Sequence, residues 1–508
     1  MKDMKIARID PKHMNGPAFD SILLAFIQII TYATNIITTK LLSVELSLTE
    51  YGTYSTVNTI ITIAASFTLF GLGDSVNYYY NKKGETEDKD RAEYVNTIFF
   101  IQLLVGVAVG IALMLFSGAI SDYYKNPLVK PLILIVCLKP WISNATHLYQ
   151  VLFVSSGKSK LIAVRNLVIS VLKVVLIYAS VKLFDSLSVV FLCLVLLDAG
   201  QLIVFKYIFG KIRFNVKLLS FSGEKMMPVV RYCVPMGIYF VTTTLMREID
   251  KLVIGRLGTT EDLAIYANCA KTLPLNILVT AFATVLIPYI MKSVTGNKYS
   301  VTVDILRKYL MIGYLSVWMF SGALLLCAPE AIRFFYSSEY ISGTPIFILY
   351  ICDGMVQFAS FHLVIAANGN SKFLMRTSFM LLIANVFFSL GMYYLFNLLG
   401  AAMVGPAAAT LVISIIYIFI LCKKTSAILD RPIKTFISVK SMVMYLCELF
   451  LVGGVFWLIK RRMESAGISW LAVFVVICAF YCLTIALLNI KKYKQLFSEI
   501  NQIKQAEL

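Results

Sequence analysis

Apolar runs of 20 or more residues recur along the whole chain. Each is long enough to cross a hydrocarbon core of about 30 Å. In lipid every backbone N–H and C=O must be paired within its own segment, so such a chain folds as a bundle of helices. Composition agrees: 59% of the 508 residues are hydrophobic and 15% charged, with mean hydropathy +0.80. A soluble domain carries about 25% charged residues. The pattern predicts an all-α polytopic membrane protein.

Breaks at charged, Gly, Pro or Asn residues divide the apolar sequence into fourteen expected spans. They run 18–42, 52–73, 94–118, 128–154, 160–182, 187–209, 229–256, 263–290, 304–328, 343–366, 373–396, 400–422, 441–459 and 468–489. The opening MKDMKIARIDPKHMNGP is basic and polar, and a run of full spanning length follows it, so no cleavable signal is expected. The ten cysteines show no CxxC pair and no histidine clustering. They read as buried thiols, and neither a metal nor a cofactor is expected.

The net charge of +18 has a topological reading. The N-terminal tail, the loops after even-numbered spans and the C-terminal tail hold 31 of the Lys and Arg residues, the opposite loops 11. The positive-inside rule then places both termini in the cytoplasm. Lys460, Arg461 and Arg462 run against it, so the last hairpin is the weakest part of this topology. Anionic headgroups of membrane lipids suit the basic loops. A nucleic-acid partner is not expected, since no soluble basic module is present.

The sequence also repeats at an ungapped offset of 212 residues. Tyr54 matches Tyr266; Ala119, Ile120 and Tyr124 match Ala331, Ile332 and Tyr336; Gly157, Ser159 and Lys160 match Gly369, Ser371 and Lys372; Leu183, Phe184 and Leu187 match Leu395, Phe396 and Leu399. This predicts two six-helix halves, 1–212 and 213–424, followed by two further helices and a cytoplasmic tail in 425–508. Parallel halves imply a cavity between them and rocking-type alternating access. Enzyme signatures such as GxSxG, HExxH or a Walker loop are missing, and no enzymatic role is expected. A membrane-embedded polysaccharide polymerase is the less favoured alternative.

Three stretches carry a family resemblance. EYGTYSTVNTI with LFGLGDSVNYYYNKK, RYCVPMGIYFVTTTLMREIDKLVIGRLGTTEDLAIYA, and APEAIRFFYSSEYISGTPIFILYI resemble the second, seventh and tenth helices of polysaccharide export flippases in the multidrug/oligosaccharidyl-lipid/polysaccharide (MOP) superfamily. The resemblance spans roughly residues 18–425 and implies a MATE/MOP-like fold. It implies movement of undecaprenyl-pyrophosphate-linked oligosaccharides, O-antigen units among them, across the bacterial inner membrane. Fourteen helices also resemble lipid II flippases, although the arginine-rich early helices expected of those are missing. MATE-type exporters share the fold.

Charges inside the spans are the candidate functional residues, because each costs about 2.5–3.5 kcal/mol at mid-bilayer unless paired or wetted. In TTTLMREIDKLVIGRLG, Arg247 and Asp250 are three apart, as are Glu248 and Lys251, so each pair can meet on one helix surface. The cluster is either a self-paired helix end or the mouth of a cavity. Lys139, Lys173 and Lys271 are candidates to line a cationic lumen for a pyrophosphate cargo, or to pair with Asp198, Asp353 or Glu448. Asp74, Asp198 and Asp353 are candidates for coupling to H+ or Na+. His147 and His362 read as structural first, and Pro235, Pro274, Pro288 and Pro406 as kinks or hinges.

Overall fold

The computed structural model describes residues 17–81, 88–271 and 289–505, and the described residues are helical with no strand among them. The chain builds α1 (Pro17–Glu45), α2 (Leu48–Leu69), α3 (Leu72–Asn81), α4 (Asp88–Leu115), α5 (Ser117–Tyr123), α6 (Val129–Val136), α7 (Lys139–Ser155), α8 (Ser159–Phe184), α9 (Leu187–Ile212), α10 (Gly223–Leu257) and α11 (Thr260–Cys269). It continues with α12 (Tyr299–Leu326), α13 (Ala328–Phe335), α14 (Thr344–Gln357), α15 (His362–Ala367), α16 (Ser371–Asn397), α17 (Val404–Leu429), α18 (Val439–Ser465), α19 (Trp470–Leu488) and α20 (Ile490–Gln505).

Ten helices among the described residues are long and apolar enough to cross a membrane. They coincide with ten of the fourteen expected spans. The span at 128–154 is instead two helices, α6 and α7, with the break at Cys137–Leu138 ahead of Pro140. The span at 343–366 is likewise broken into α14 and α15. Span 18–42 falls on α1, and span 263–290 begins in α11 and runs outside the described residues, as do Pro274 and Pro288.

Local structure recurs at the 212-residue offset. Ser47 caps α2 through a reciprocal bond with Glu50, and Thr259 caps α11 in the same way with Asp262. Such a capping box satisfies two otherwise orphaned backbone N–H groups at a helix start. Gly157 and Gly369 turn the chain into α8 and α16 with φ of +73° and +75°, a conformation that a side chain would strain.

Lipid supplies no hydrophobic drive between helices, so close approach depends on small residues. Gly52 of α2 lies against the Thr260 carbonyl of α11, leaving no room for even a methyl group. Gly405 meets the backbone of Met392 in the same manner, joining α16 to α17. Pro406 sits in the first turn of α17, where its missing N–H breaks no helical bond. Pro228 and Pro235 lie inside α10, which continues through both.

The apolar packing divides by level. At the end of the bundle where α1 finishes and α2 and α11 begin, one core joins both sides of the chain, with Leu42, Tyr51, Tyr124, Ile254, Tyr266 and Tyr340 in a single cluster. At the opposite end the core splits. One cluster holds Val76, Phe99, Tyr149, Phe153 and Phe205 together with Val229 and Cys233 of α10. Another holds Tyr309, Leu315, Phe361, Leu374 and Tyr445. The apolar core is therefore continuous at one end of the bundle, the sealed end, and divided into two clusters at the other, the parted end, with α10 contributing to both.

α18 and α19 pack on α12, and α19 also on α13. Lys460, the first of the three cations against the charge rule, donates to Glu330 at 2.8 Å and to the Leu326 carbonyl at 3.0 Å. Its charge is neutralised by α13 inside the protein. Arg461 stacks on Trp457 at 4.2 Å. All ten cysteines are free thiols.

Candidate functional site

A cavity of about 740 Å³ is lined from α1, α2, α7, α10, the end of α11, α13, α14 and α17. On α10 the lining residues are Thr244, Arg247, Glu248 and Lys251, which helical periodicity places on one face. Arg247 is exposed to this cavity and makes no ion pair among the described residues. Glu248 and Lys251 do pair, at 2.7 Å, and Thr59 donates to Glu248 at 3.3 Å.

The expected Arg247–Asp250 pair does not form. Asp250 is fully buried and is not among the residues lining the cavity. It accepts from Tyr266 Oη at 2.8 Å, Tyr350 Oη at 2.5 Å and Thr410 Oγ1 at 2.8 Å. Three hydroxyls from three helices replace the water that the carboxylate loses, so a cation is not needed to hold it. Arg247, on the cavity face, stays free.

Lys271 enters the cavity just past α11. Its Nζ donates to Tyr51 Oη and to Asn268 Oδ1, each at 2.8 Å, while Tyr51 Oη donates to Asn268 Oδ1 at 2.5 Å. The ammonium also lies 5.5 Å from the Tyr51 ring centre and 5.9 Å from that of Tyr336. Among the described residues its polar partners are neutral, and no carboxylate pairs with it. Lys251 and Lys173 are its cationic neighbours.

Lys139 is not in the cavity lining. It forms an ion pair with Asp198 of α9, which also accepts from Ser143 at 2.9 Å and Gln201 at 3.3 Å. Arg165 bonds Gln201 and extends this network within the first half. Lys173 has no hydrogen-bonded partner among the described residues and lies within electrostatic reach of both Asp198 and Lys271.

Asp353 of α14 lines the cavity at 2% exposure. One of its oxygens accepts from Gln357 at 2.6 Å, and the other has no hydrogen-bond partner among the described residues. Asp74 lies elsewhere, at the start of α3 in a second cavity that also holds His147. His362 packs beside Tyr239. No cluster of three or more His, Cys, Asp or Glu residues able to hold a metal occurs among the described residues.

Sequence reasoning missed Tyr51, Asn268, Tyr350 and Thr410. Each is an ordinary polar residue in an apolar run, and its role comes from helices distant in sequence.

A family model described as polysaccharide biosynthesis protein matches residues 41–345. No curated protein matches the sequence. Among solved structures, the lipid II flippase MurJ in an inward closed conformation superposes with TM-score 0.69 at 13% identity, covering 93% of this chain and 100% of that one. An inward-facing multidrug resistance MATE family transporter of the MOP superfamily gives 0.60 at 12% identity, covering 80% and 98%. A MOP superfamily transporter from Pyrococcus furiosus, described by the reverse polarity of its binding pocket, gives 0.56 at 13% identity, covering 80% and 95%. At these identities the superpositions establish the fold: a multi-pass helical membrane protein of MurJ/MATE type.

Proposed function

This chain belongs to the polysaccharide biosynthesis protein family, and on that premise we propose that it flips lipid-linked oligosaccharide repeat units across a bacterial inner membrane by alternating access. The observation that carries the reading is the charge of the central cavity. Its lining holds Arg247, Lys251 and Lys271 against Glu248 and Asp353, and Lys251 already answers Glu248. Arg247 and Lys271 are left to meet an anion. A polyprenyl pyrophosphate entering a bilayer-depth cavity loses its hydration, and charge-assisted bonds from fixed cations offset that loss. A MATE-like exporter of cations would call for the opposite balance.

The residues 1–212 and 213–424 act as two halves in this reading, with the charge rule setting both termini and the parted end of the bundle toward the cytoplasm. Cargo enters there. Its phosphates draw Lys271 away from Tyr51 and Asn268, which loosens the seam between α2 and α11 at the sealed, outer end. Lys173 adds cationic field behind Lys271, whereas Lys139 is committed to Asp198. Asp353, with one oxygen unbonded, is the residue suited to take up H+ or Na+ as the halves move. Deleting the gene tests the function: lipid-linked repeat units accumulate on the cytoplasmic leaflet and surface polysaccharide falls. Undiminished surface polysaccharide without that accumulation overturns the proposal.

A further inference from the structure

The second cavity, of about 470 Å³, lies at the parted end of the bundle between α3, α7, α8 and α10. It adjoins the first, since Leu69 lines both. The same helix faces continue from one to the other. Asn144 of α7 lines the upper cavity, and His147, Val151 and Val154 the lower, at successive helical turns. Thr244 and Arg247 of α10 line the upper and Phe240 the lower.

The chemistry changes along this path. Among the described residues the lower lining contains no lysine or arginine, so no fixed cation answers a phosphate there. It instead gathers Asp74, Asn77, His147 and Gln150. Asp74, His147 and Gln150 have no hydrogen-bond or ion-pair partner among the described residues, although all three project into the cavity. Asn77 uses its Oδ1 to accept from Asn81 at 2.9 Å and Ser155 at 3.1 Å, leaving its amide N–H groups for the cavity. Leu69, Val151, Val154 and Phe240 supply apolar surface beside these groups.

A carboxylate, two amides and an imidazole with free valences, set beside apolar walls with no lysine or arginine in the described lining, match the hydroxyl pattern and apolar faces of a sugar. We propose that this lower cavity is a glycan subsite that binds the neutral sugars of the cargo while the pyrophosphate occupies the cationic cavity above. The inference rests on the flippase reading and adds to it the placement of the sugar. Asp74 disfavours acidic sugars at this position, so the residues it accepts are neutral hexoses or N-acetylated hexoses.

The test uses the full-length protein in detergent with two probes, undecaprenyl pyrophosphate and the same lipid carrying a neutral N-acetylglucosamine-containing disaccharide. Wild type is expected to bind the glycosylated probe about tenfold more tightly, the worth of one or two net hydrogen bonds. Gln150→Leu, and Asn77→Leu/Gln150→Leu together, abolish that preference and leave binding of the bare lipid unchanged. The single variant serves if the double variant does not fold. Binding of the bare lipid that depends on Lys271, with no gain from the sugar or with the gain intact in both variants, overturns the glycan subsite alone. Failure of wild type to bind either probe overturns the flippase reading with it.

Discussion

Lys271 Nζ and Tyr51 Oη lie 2.8 Å apart, joining a cavity cation to the helix that seals the far end of the bundle. Tyr51 is 1% exposed and belongs to the core cluster that joins α2 and α11 at the sealed end. A side chain that could meet cargo is thereby a structural member of the seam.

Tyr51→Phe removes one of the two acceptors of Lys271 and one donor to Asn268 without changing shape. Hydrogen bonds between membrane helices are worth about 0.6–1.7 kcal/mol. A fall of a few degrees in the detergent melting temperature is expected. Lys271→Met should cost little more in stability, yet abolish most transport. Melting curves beside transport assays separate the two effects, and equal losses in both would argue against a cargo role for Lys271.

Asp250 answers differently from its neighbour Arg247. Asp250→Leu leaves Tyr266, Tyr350 and Thr410 without their shared acceptor, and each orphaned buried hydroxyl costs about 1–3 kcal/mol. Failure to accumulate folded protein is the expected result, read by size-exclusion chromatography in detergent. Arg247→Gln should fold as wild type does and transport poorly. Exchanging the two residues should destroy folding, because it forces a guanidinium into the hydroxyl pocket.

The ion pair between Lys460 and Glu330 is buried on both sides. Lys460→Met alone leaves an unpaired carboxylate, a loss of about 3–5 kcal/mol. The double variant Lys460→Met/Glu330→Met should recover most of it. A double-mutant cycle on thermal stability measures the coupling, and additive single effects would contradict the docking role given to this pair.

At the sealed end, Thr49 Oγ1 donates to Glu261 at 2.5 Å across the α2–α11 seam. That bond holds the Glu261 carboxyl below the usual carboxylate range. A depressed folded-state value means the stabilisation is present above the unfolded-state value and is lost as pH falls through the folded one. Thr49→Val should therefore melt earlier than wild type at pH 7, and the gap should close on acidification. A gap constant with pH would rule out this origin.

The spans were legible because lipid imposes one rule on twenty consecutive residues, and that rule is local. The breaks at Cys137–Leu138 and after Gln357 escaped it, since Lys139 with Pro140, and Ser360 with His362, are brief interruptions between apolar stretches that together reach spanning length. Arg247 and Asp250 show the limit of spacing arguments. Three residues apart permits a pair, but only the opposing helices decide it, and α17 presents Thr410 to Asp250. The same limit hid Tyr51 and Asn268, whose meeting spans 217 positions of sequence. The capping boxes at Ser47 and Thr259 are local by contrast, each complete within four residues.

The central claim is that Arg247 and Lys271 hold the pyrophosphate of a lipid-linked glycan during its passage. Reconstitution into proteoliposomes with a fluorescent undecaprenyl-pyrophosphate-linked oligosaccharide tests it most directly, with flipping read as exposure to a membrane-impermeant quencher. The account predicts rapid exposure with wild type and at least a tenfold slower rate with Arg247→Gln/Lys271→Met, at unchanged melting temperature. Equal rates for the two proteins, or a rate no faster than protein-free liposomes for both, would contradict it.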